Sequence, residues 1–141
     1  NKSELSVGYG TLYGDMCGSL SVIGDLYKTQ IYELAKYINS NKEIIPLNII
    51  TKPPSAELKP NQKDTDTLPD YNILDKVLYL FIEKTFGNEE IIKNDFNSDI
   101  VDKITNMVKT SEYKRFQSPP ILRISTKSFG QGRNIPLVAK Y

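Results

Sequence analysis

Two carboxylates near the start of the chain could bind a divalent metal ion. Glu4 ends the run Asn1-Lys2-Ser3-Glu4, and Asp15 lies in the glycine-rich stretch that follows it. Carboxylate oxygens suit Mg²⁺, which proteins hold through one or two carboxylates together with substrate phosphates. The alternative is structural, because an acidic side chain in the first turn of a helix is stabilising without any ligand.

A lysine and a serine further along could contact phosphate groups. Lys28 falls in the first turn of a predicted helix, where a cation is unfavourable unless it faces an anion such as phosphate. Ser55 follows Pro53 and Pro54, and a loop stiffened by prolines loses less entropy when it closes over a ligand. The alternatives are a solvated lysine and an ordinary surface loop.

Two cations end the last predicted helix. Lys114 and Arg115 follow Glu112 and Tyr113, and positive charge at a helix C-terminus is favourable without any ligand. The chain contains no histidine, so catalysis would have to use other groups. Without a histidine to activate its thiol, Cys17 is predicted to be a small packing residue rather than a nucleophile.

The composition fits one compact domain without a nucleic-acid or membrane partner. The 141 residues are 39% hydrophobic and carry a net charge of +1, which gives no electrostatic reason for binding a polyanion. The longest apolar run, Val77 to Ile82, is far shorter than the roughly 20 residues that span a bilayer. A single cysteine excludes an intrachain disulfide and indicates a cytoplasmic setting.

Helix caps and hydrophobic spacing predict the elements that would position the candidate residues. We expect a short helix from Glu4 to Tyr9 with Ser3 as its N-cap. We expect Asp25 to cap an amphipathic helix of about fourteen residues. The turn between them is rich in glycine, with Gly8, Gly10, Gly14, Gly18 and Gly24. A turn of this kind lets the backbone approach a ligand closely.

The middle of the chain is predicted to be a connection followed by a loop. The apolar stretch from Ile44 to Ile50 contains a proline and could be extended or a buried connection. The segment from Thr51 to Asp70 holds four prolines and little periodicity, so it is predicted to be a long loop with a function or with disorder.

The second half of the chain is predicted to be helical and then extended. One strongly amphipathic helix should follow Pro69 and end at Gly87. Asn88 should cap a short turn through Ile92, and Asn97 or Ser98 should cap a third amphipathic helix. We expect Ile121 to Ser125 to be extended, and Gly130 to Gly132 to be loose or held by a partner.

These elements by themselves form a mostly helical bundle with an incomplete core, because the sequence carries few strand signals. The chain also begins without a methionine. We therefore expect it to be part of a longer polypeptide.

Several motifs, taken in order, resemble the NAD synthetase family. They are Asn1-Lys2-Ser3-Glu4, Gly8-Tyr9-Gly10-Thr11-Leu12-Tyr13-Gly14-Asp15, Gly24-Asp25-Leu26-Tyr27-Lys28-Thr29-Gln30, Pro54-Ser55-Ala56-Glu57-Leu58 and Glu112-Tyr113-Lys114-Arg115. Three later stretches look more like the glutamine-dependent, two-domain form than the shorter ammonia-dependent form, namely Pro69-Asp70-Tyr71, Tyr113-Lys114-Arg115-Phe116-Gln117 and Phe129-Gly130. The resemblance covers most of the chain.

The resemblance implies an α/β fold and an ATP-dependent amidation. Residues 1–141 would be the C-terminal, mostly helical portion of a Rossmann-like ATP pyrophosphatase domain, with the phosphate loop and the glutaminase domain upstream. The family adenylates deamido-NAD with ATP and Mg²⁺, and ammonia from glutamine then displaces AMP to give NAD. A homo-oligomer is also implied, and this portion alone would be inactive.

The resemblance assigns roles to five residues. Glu4 matches the acidic residue at the Mg²⁺ and deamido-NAD site. Lys28 and Ser55 match ATP-binding residues, and Tyr113 and Lys114 match a pair that approaches deamido-NAD.

Two positions depart from the family pattern. Leu12 and Ser19 stand where shorter members carry a substrate-binding lysine and aspartate, so those two contacts do not carry over.

Two other functions remain open at this point. One is another ATP pyrophosphatase, such as a GMP or asparagine synthetase, which shares the phosphate loop but not these later motifs. The other is a noncatalytic helical interaction module, which would keep the apolar stripes but give no reason for Lys28 beside a glycine-rich turn.

Overall fold

The structure, a computed structural model, describes residues 1–130 and 132–137 and is built from short helices joined by loops. The α-helices are α1 (Lys2–Val7), α2 (Lys28–Ile38), α3 (Leu47–Thr51), α4 (Tyr71–Leu78), α5 (Asn88–Ile92), α6 (Ser98–Thr110) and α7 (Glu112–Phe116). A 3₁₀ turn spans Asp64–Asp66, and a π-helical turn, Tyr79–Glu83, continues α4. The expected mostly helical character is confirmed.

Extended structure is sparse in the described residues. They contain no strand, only two isolated bridges, one between Ser21 and Ile121 and one between Phe129 and Arg133. The extended segment predicted from Ile121 to Ser125 therefore pairs at its first residue only. Of the predicted loose tail, Gln131 lies outside the described residues.

The core is formed mainly by α4 with its π-helical turn, α5 and α6. Asp70 caps α4 and Asn97 caps α6, each through its side chain, and both helices then present apolar residues at helical spacing. The fully buried apolar side chains are Leu74, Val77, Leu78, Ile82, Ile91, Val101, Ile104 and Val108. The two amphipathic helices predicted in this half are confirmed.

The α1 helix is held by a buried cation. Lys2 is 0% exposed, and its ammonium lies 3.0 Å from both Asp25 Oδ1 and Glu83 Oε1. It also donates to Ser125 Oγ at 2.8 Å and to the Lys127 carbonyl at 3.0 Å. Removing an ammonium from water costs several kcal/mol unless such partners replace the lost hydration. These contacts join α1 to three distant segments.

Asp25 does not cap α2, so the cap prediction is wrong. Its carboxylate pairs with Lys2 and accepts hydrogen bonds from the backbone N–H groups of Ile124 and Ser125. The N-cap position of α2 is Tyr27, and the helix has eleven residues. The competing long-range partners decide the role of Asp25.

The predicted Asn88 cap is wrong, since Gly87 is the N-cap of α5.

Three further local predictions are wrong. Ser3 is not the N-cap of α1, because Asn1 accepts from the Glu4 N–H and takes that position. The stretch from Ile44 to Ile50 is neither a strand nor buried, since it enters the exposed helix α3. Cys17 is exposed rather than packed inside.

None of the helices in the described ranges is long and apolar enough to cross a membrane.

Replacing Lys2 should strongly destabilise the protein. In Lys2→Met, Asp25 and Glu83 lose their buried counter-charge, and breaking a buried ion pair in this way costs about 3–5 kcal/mol. Urea unfolding measures the change in the free energy of unfolding. The exposed Lys36 on α2 is the control, and Lys36→Met should change that free energy by less than about 0.5 kcal/mol. Equal effects of the two substitutions would contradict the account.

Candidate functional site

A cleft of about 720 Å³ lies between α1 with its glycine-rich turn, the start of α2, the long loop and α7. It brings together four of the five predicted site residues, which are Glu4, Lys28, Ser55 and Lys114. These residues come from four separate parts of the sequence. The other residues that line the cleft include Tyr9, Thr11, Asp15, Leu58, Gln62 and Asp64.

Glu4 and Lys28 form an ion pair at the edge of this cleft. Lys28 Nζ lies 2.9 Å from Glu4 Oε1, and both side chains are only partly exposed. The Lys28 ammonium also lies 5.4 Å from the centre of the Tyr71 ring. The Lys28 ammonium favours the ionised form of the Glu4 carboxylate through its charge and its hydrogen bond. The pair therefore presents an ionised carboxylate and a cation side by side.

Lys114 is held by the turn that ends α1. Its ammonium donates to the carbonyl oxygens of Gly8 and Gly10, each at 2.7 Å. Gly8 has φ +68°, and a Cβ there would lie 2.3 Å from Ser111 Oγ, so only glycine fits this close approach of α1 and α7. An ammonium has three N–H donors, so one remains for a ligand.

Arg115, next to Lys114, is a structural residue. It is 7% exposed and donates to the Ser6 carbonyl at 2.5 Å and to Glu112 Oε2 at 2.9 Å. The bond to the Ser6 carbonyl attaches α7 to the end of α1. The two bonds explain why one cation of the pair is buried while Lys114 reaches the cleft.

Ser55 lies on the part of the long loop that faces the cleft. Its hydroxyl accepts a hydrogen bond from the Glu57 N–H at 3.1 Å, and Glu57 forms an ion pair with Lys52. The Asp64 N–H donates to the Pro54 carbonyl at 2.9 Å and closes the base of the loop. The predicted use of this loop at the site is thus consistent with its place in the fold.

Two residues that line the cleft, Tyr9 and Asp64, were not predicted from the sequence. Asp64 is 3% exposed, and its Oδ2 accepts from the Tyr71 hydroxyl at 2.7 Å. Its Oδ1 and the Tyr9 hydroxyl are buried and have no hydrogen-bond partner among the described residues. Burial, followed by the charge of Asp64, raises the pKa of Tyr9. No local pattern marks either residue as part of the cleft, because the loop that carries Asp64 and the turn that carries Tyr9 meet only in the folded chain.

Tyr113 is the one predicted site residue that the structure places elsewhere. It is 46% exposed and is not part of the cleft lining in the described ranges, although it adjoins Lys114 in α7. A role for Tyr113 in ligand binding therefore stays a prediction.

Comparison with known proteins finds matches to one family along most of the chain. Residues 1–118 match the family described as NAD synthase. The chain is 48% identical over 141 residues to the glutamine-dependent NAD(+) synthetase of Synechocystis, covering 100% of this chain and 25% of that protein. It is 50% identical over 140 residues to the enzyme of the same description from Acinetobacter baylyi, covering 98% of this chain and 26% of that protein.

A solved structure agrees with these matches. It is the glutamine-dependent NAD+ synthetase from Acinetobacter baumannii in complex with adenosine diphosphate, matched with a TM-score of 0.50 and 42% sequence identity. The match covers 98% of this chain and 24% of that one. The chain thus spans about a quarter of the length of the relatives it matches.

Proposed function

Because the chain belongs to the NAD synthase family, we propose that it is the C-terminal part of a glutamine-dependent NAD synthetase. The reaction is the ATP-dependent amidation of deamido-NAD to NAD. One observation carries the proposal, namely that Glu4, Lys28, Ser55 and Lys114 line a single cleft. These four polar groups come from distant parts of the sequence and share one cavity, which supports a ligand-binding role for them.

The proposed reaction has two steps. The nicotinate carboxylate of deamido-NAD attacks the α-phosphorus of ATP, and pyrophosphate leaves with the electrons of the broken P–O bond. Ammonia then attacks the carbonyl carbon of the adenylate, AMP leaves, and the nitrogen loses a proton to give the amide. A carboxylate is already nucleophilic, so the absence of histidine is compatible with the first step. Charge neutralisation and positioning are what that step requires.

Each cleft residue has a proposed role. Lys28 contacts the ATP phosphates. A phosphate anion at this place would also be favourable beside the positive end of the α2 dipole. Ser55 offers its hydroxyl to ATP from the loop that forms one wall. Lys114 donates its remaining N–H to deamido-NAD, and Tyr113, which precedes it in α7, approaches the same ligand.

The acidic residues of the cleft fit a magnesium ion. Glu4 and Asp15 both line it. Such a set suits Mg²⁺, which needs one or two carboxylates because phosphate oxygens and water complete its shell. Glu4 would hold the ion, which when bound neutralises charge on the phosphates. Asp15 already accepts from the Thr11 N–H at 2.6 Å and is thereby oriented.

The remaining part of the enzyme would cover part of this chain's surface. The chain exposes 8954 Å², whereas a folded monomer of 16.0 kDa exposes about 7,400 Å². The excess exceeds the roughly 800 Å² that one partner buries in a standard interface. We assign the missing contacts to an upstream Rossmann-like α/β portion carrying the phosphate loop, preceded by a glutaminase domain. The complete enzyme would be a cytoplasmic homo-oligomer.

Product formation by the full-length polypeptide tests this function. Supplied with deamido-NAD, ATP and Mg²⁺, it should form NAD and AMP with either glutamine or ammonium as nitrogen donor. Chromatography of the nucleotides measures both products. Product with ammonium alone would remove the glutaminase from the proposal. Absence of product with either donor would contradict it and favour a noncatalytic interaction module.

Removing either cleft lysine should lower turnover without unfolding the enzyme. Lys28→Ala and Lys114→Ala each delete a charge that contacts a ligand, so we expect kcat/KM to fall by about 10²-fold or more. Lys36→Ala is the matched control, because Lys36 lies on the same helix as Lys28 and is exposed outside the cleft. It should keep kcat/KM within about twofold. Near-normal kcat/KM in either cleft variant would refute that residue's role.

A further inference from the structure

The start of α2 is held by side chains of other helices. The Lys28 N–H donates to Ser3 Oγ at 2.8 Å, and the Thr29 N–H donates to Asp75 Oδ2 at 2.9 Å. The N-cap residue, Tyr27, makes no side-chain capping bond. The first backbone donors of a helix have no partner within the helix, so these outside acceptors fix where α2 begins.

The two acceptors are joined to each other. The Ser3 hydroxyl donates to Asp75 Oδ1 at 2.5 Å, and the Thr29 hydroxyl donates to Asp75 Oδ2 at 2.8 Å. Ser3 is 0% exposed and Asp75 is 5% exposed, so little water competes for these bonds. With its proton engaged by Asp75, the Ser3 oxygen has its lone pairs turned toward the Lys28 N–H. The carboxylate thereby orients the serine.

Lys28 is consequently attached to α1 at two points. Its backbone N–H binds Ser3, and its ammonium binds Glu4 at 2.9 Å. Ser3 and Glu4 are consecutive residues of α1. Loss of the first contact removes one of the two points that fix Lys28 relative to α1. Misplacement of a reacting group by about 1 Å can cost roughly 10²-fold in rate.

We propose that Ser3, oriented by Asp75, is a positioning residue that holds the backbone of Lys28, and with it the Lys28 ammonium, at the edge of the cleft. The inference rests on the proposed role of Lys28 in ATP binding. Neither Ser3 nor Asp75 lines the cleft, so both act through Lys28 rather than on the ligand.

Ser6 offers a matched control on the same helix. It is also 0% exposed, but its hydroxyl donates to the Lys2 carbonyl at 2.6 Å within α1. Ser3→Ala and Ser6→Ala therefore each remove one buried hydroxyl from α1. Only Ser3→Ala removes a contact to α2.

The test compares these variants in the full-length polypeptide, with kcat/KM for ATP and thermal unfolding as readouts. We expect Ser3→Ala to lower kcat/KM for ATP by about tenfold or more, and Ser6→Ala to keep it within about twofold. Thr29→Val, which removes one bond to Asp75, should act in the same direction as Ser3→Ala but less strongly. Equal effects of Ser3→Ala and Ser6→Ala would overturn the inference.

A double-mutant cycle separates positioning from general destabilisation. In the Lys28→Ala background, adding Ser3→Ala should lower kcat/KM by less than about twofold, because the group that Ser3 positions is gone. If the full effect of Ser3→Ala persists in that background, Ser3 does not act through Lys28 and the inference fails.

Failure of the proposed function would be visible separately. An inactive wild-type polypeptide would overturn the function. The inference would then be tested by calorimetry, which compares the Kd for ATP of Ser3→Ala with that of Ser6→Ala. A rise in Kd in Ser3→Ala but not in Ser6→Ala supports positioning. Unchanged Kd in both variants overturns it.

Discussion

The burial of one ammonium constrains the whole arrangement. Lys2 has no exposure to water, and its charge is compensated by Asp25 and Glu83, with a serine hydroxyl and a carbonyl completing its contacts. These partners come from the segment before α2, the π-helical turn and the chain after α7. Movement of any of the three would take a partner away from a buried charge, and such a loss is costly in a protein interior.

The four residues of the run Asn1-Lys2-Ser3-Glu4 each make a different contact in the anchored helix. Asn1 caps α1, Lys2 anchors the helix, Ser3 binds the start of α2, and Glu4 faces the cleft. Successive residues of a helix point in different directions, so a single turn can contact several elements at once. The cleft carboxylate is therefore placed by its own neighbours in the sequence rather than by a separate scaffold.

Local sequence signals predicted some of this fold well. The helices α4 and α6 follow from apolar spacing and from residues such as Asn97 that cap without help from elsewhere. Asp25 and Ser3 looked equally suitable as caps, but both are used by partners far away in the chain, and no local rule anticipates that competition. The importance of Lys2 was missed for the same reason, since burial of a lysine is visible only once the fold is known.

In the candidate site too, some residues could be predicted from the sequence and others are visible only in the fold. The family resemblance found Glu4, Lys28, Ser55 and Lys114, which the fold brings to one cleft, whereas composition and spacing alone left each of them with a structural alternative. Tyr9 and Asp64 escaped both approaches, because only the fold brings the loop and the glycine-rich turn together.

The most direct test of the account is a crystal structure of the full-length polypeptide with deamido-NAD and a nonhydrolysable ATP analogue. The account predicts that Lys28 Nζ lies within about 3 Å of a phosphate oxygen of the analogue, the usual distance for a charge-assisted hydrogen bond. Lys114 should contact deamido-NAD while the contacts of Lys2 stay unchanged. Ligands bound outside the cleft, with Lys28 still paired only with Glu4, would contradict it.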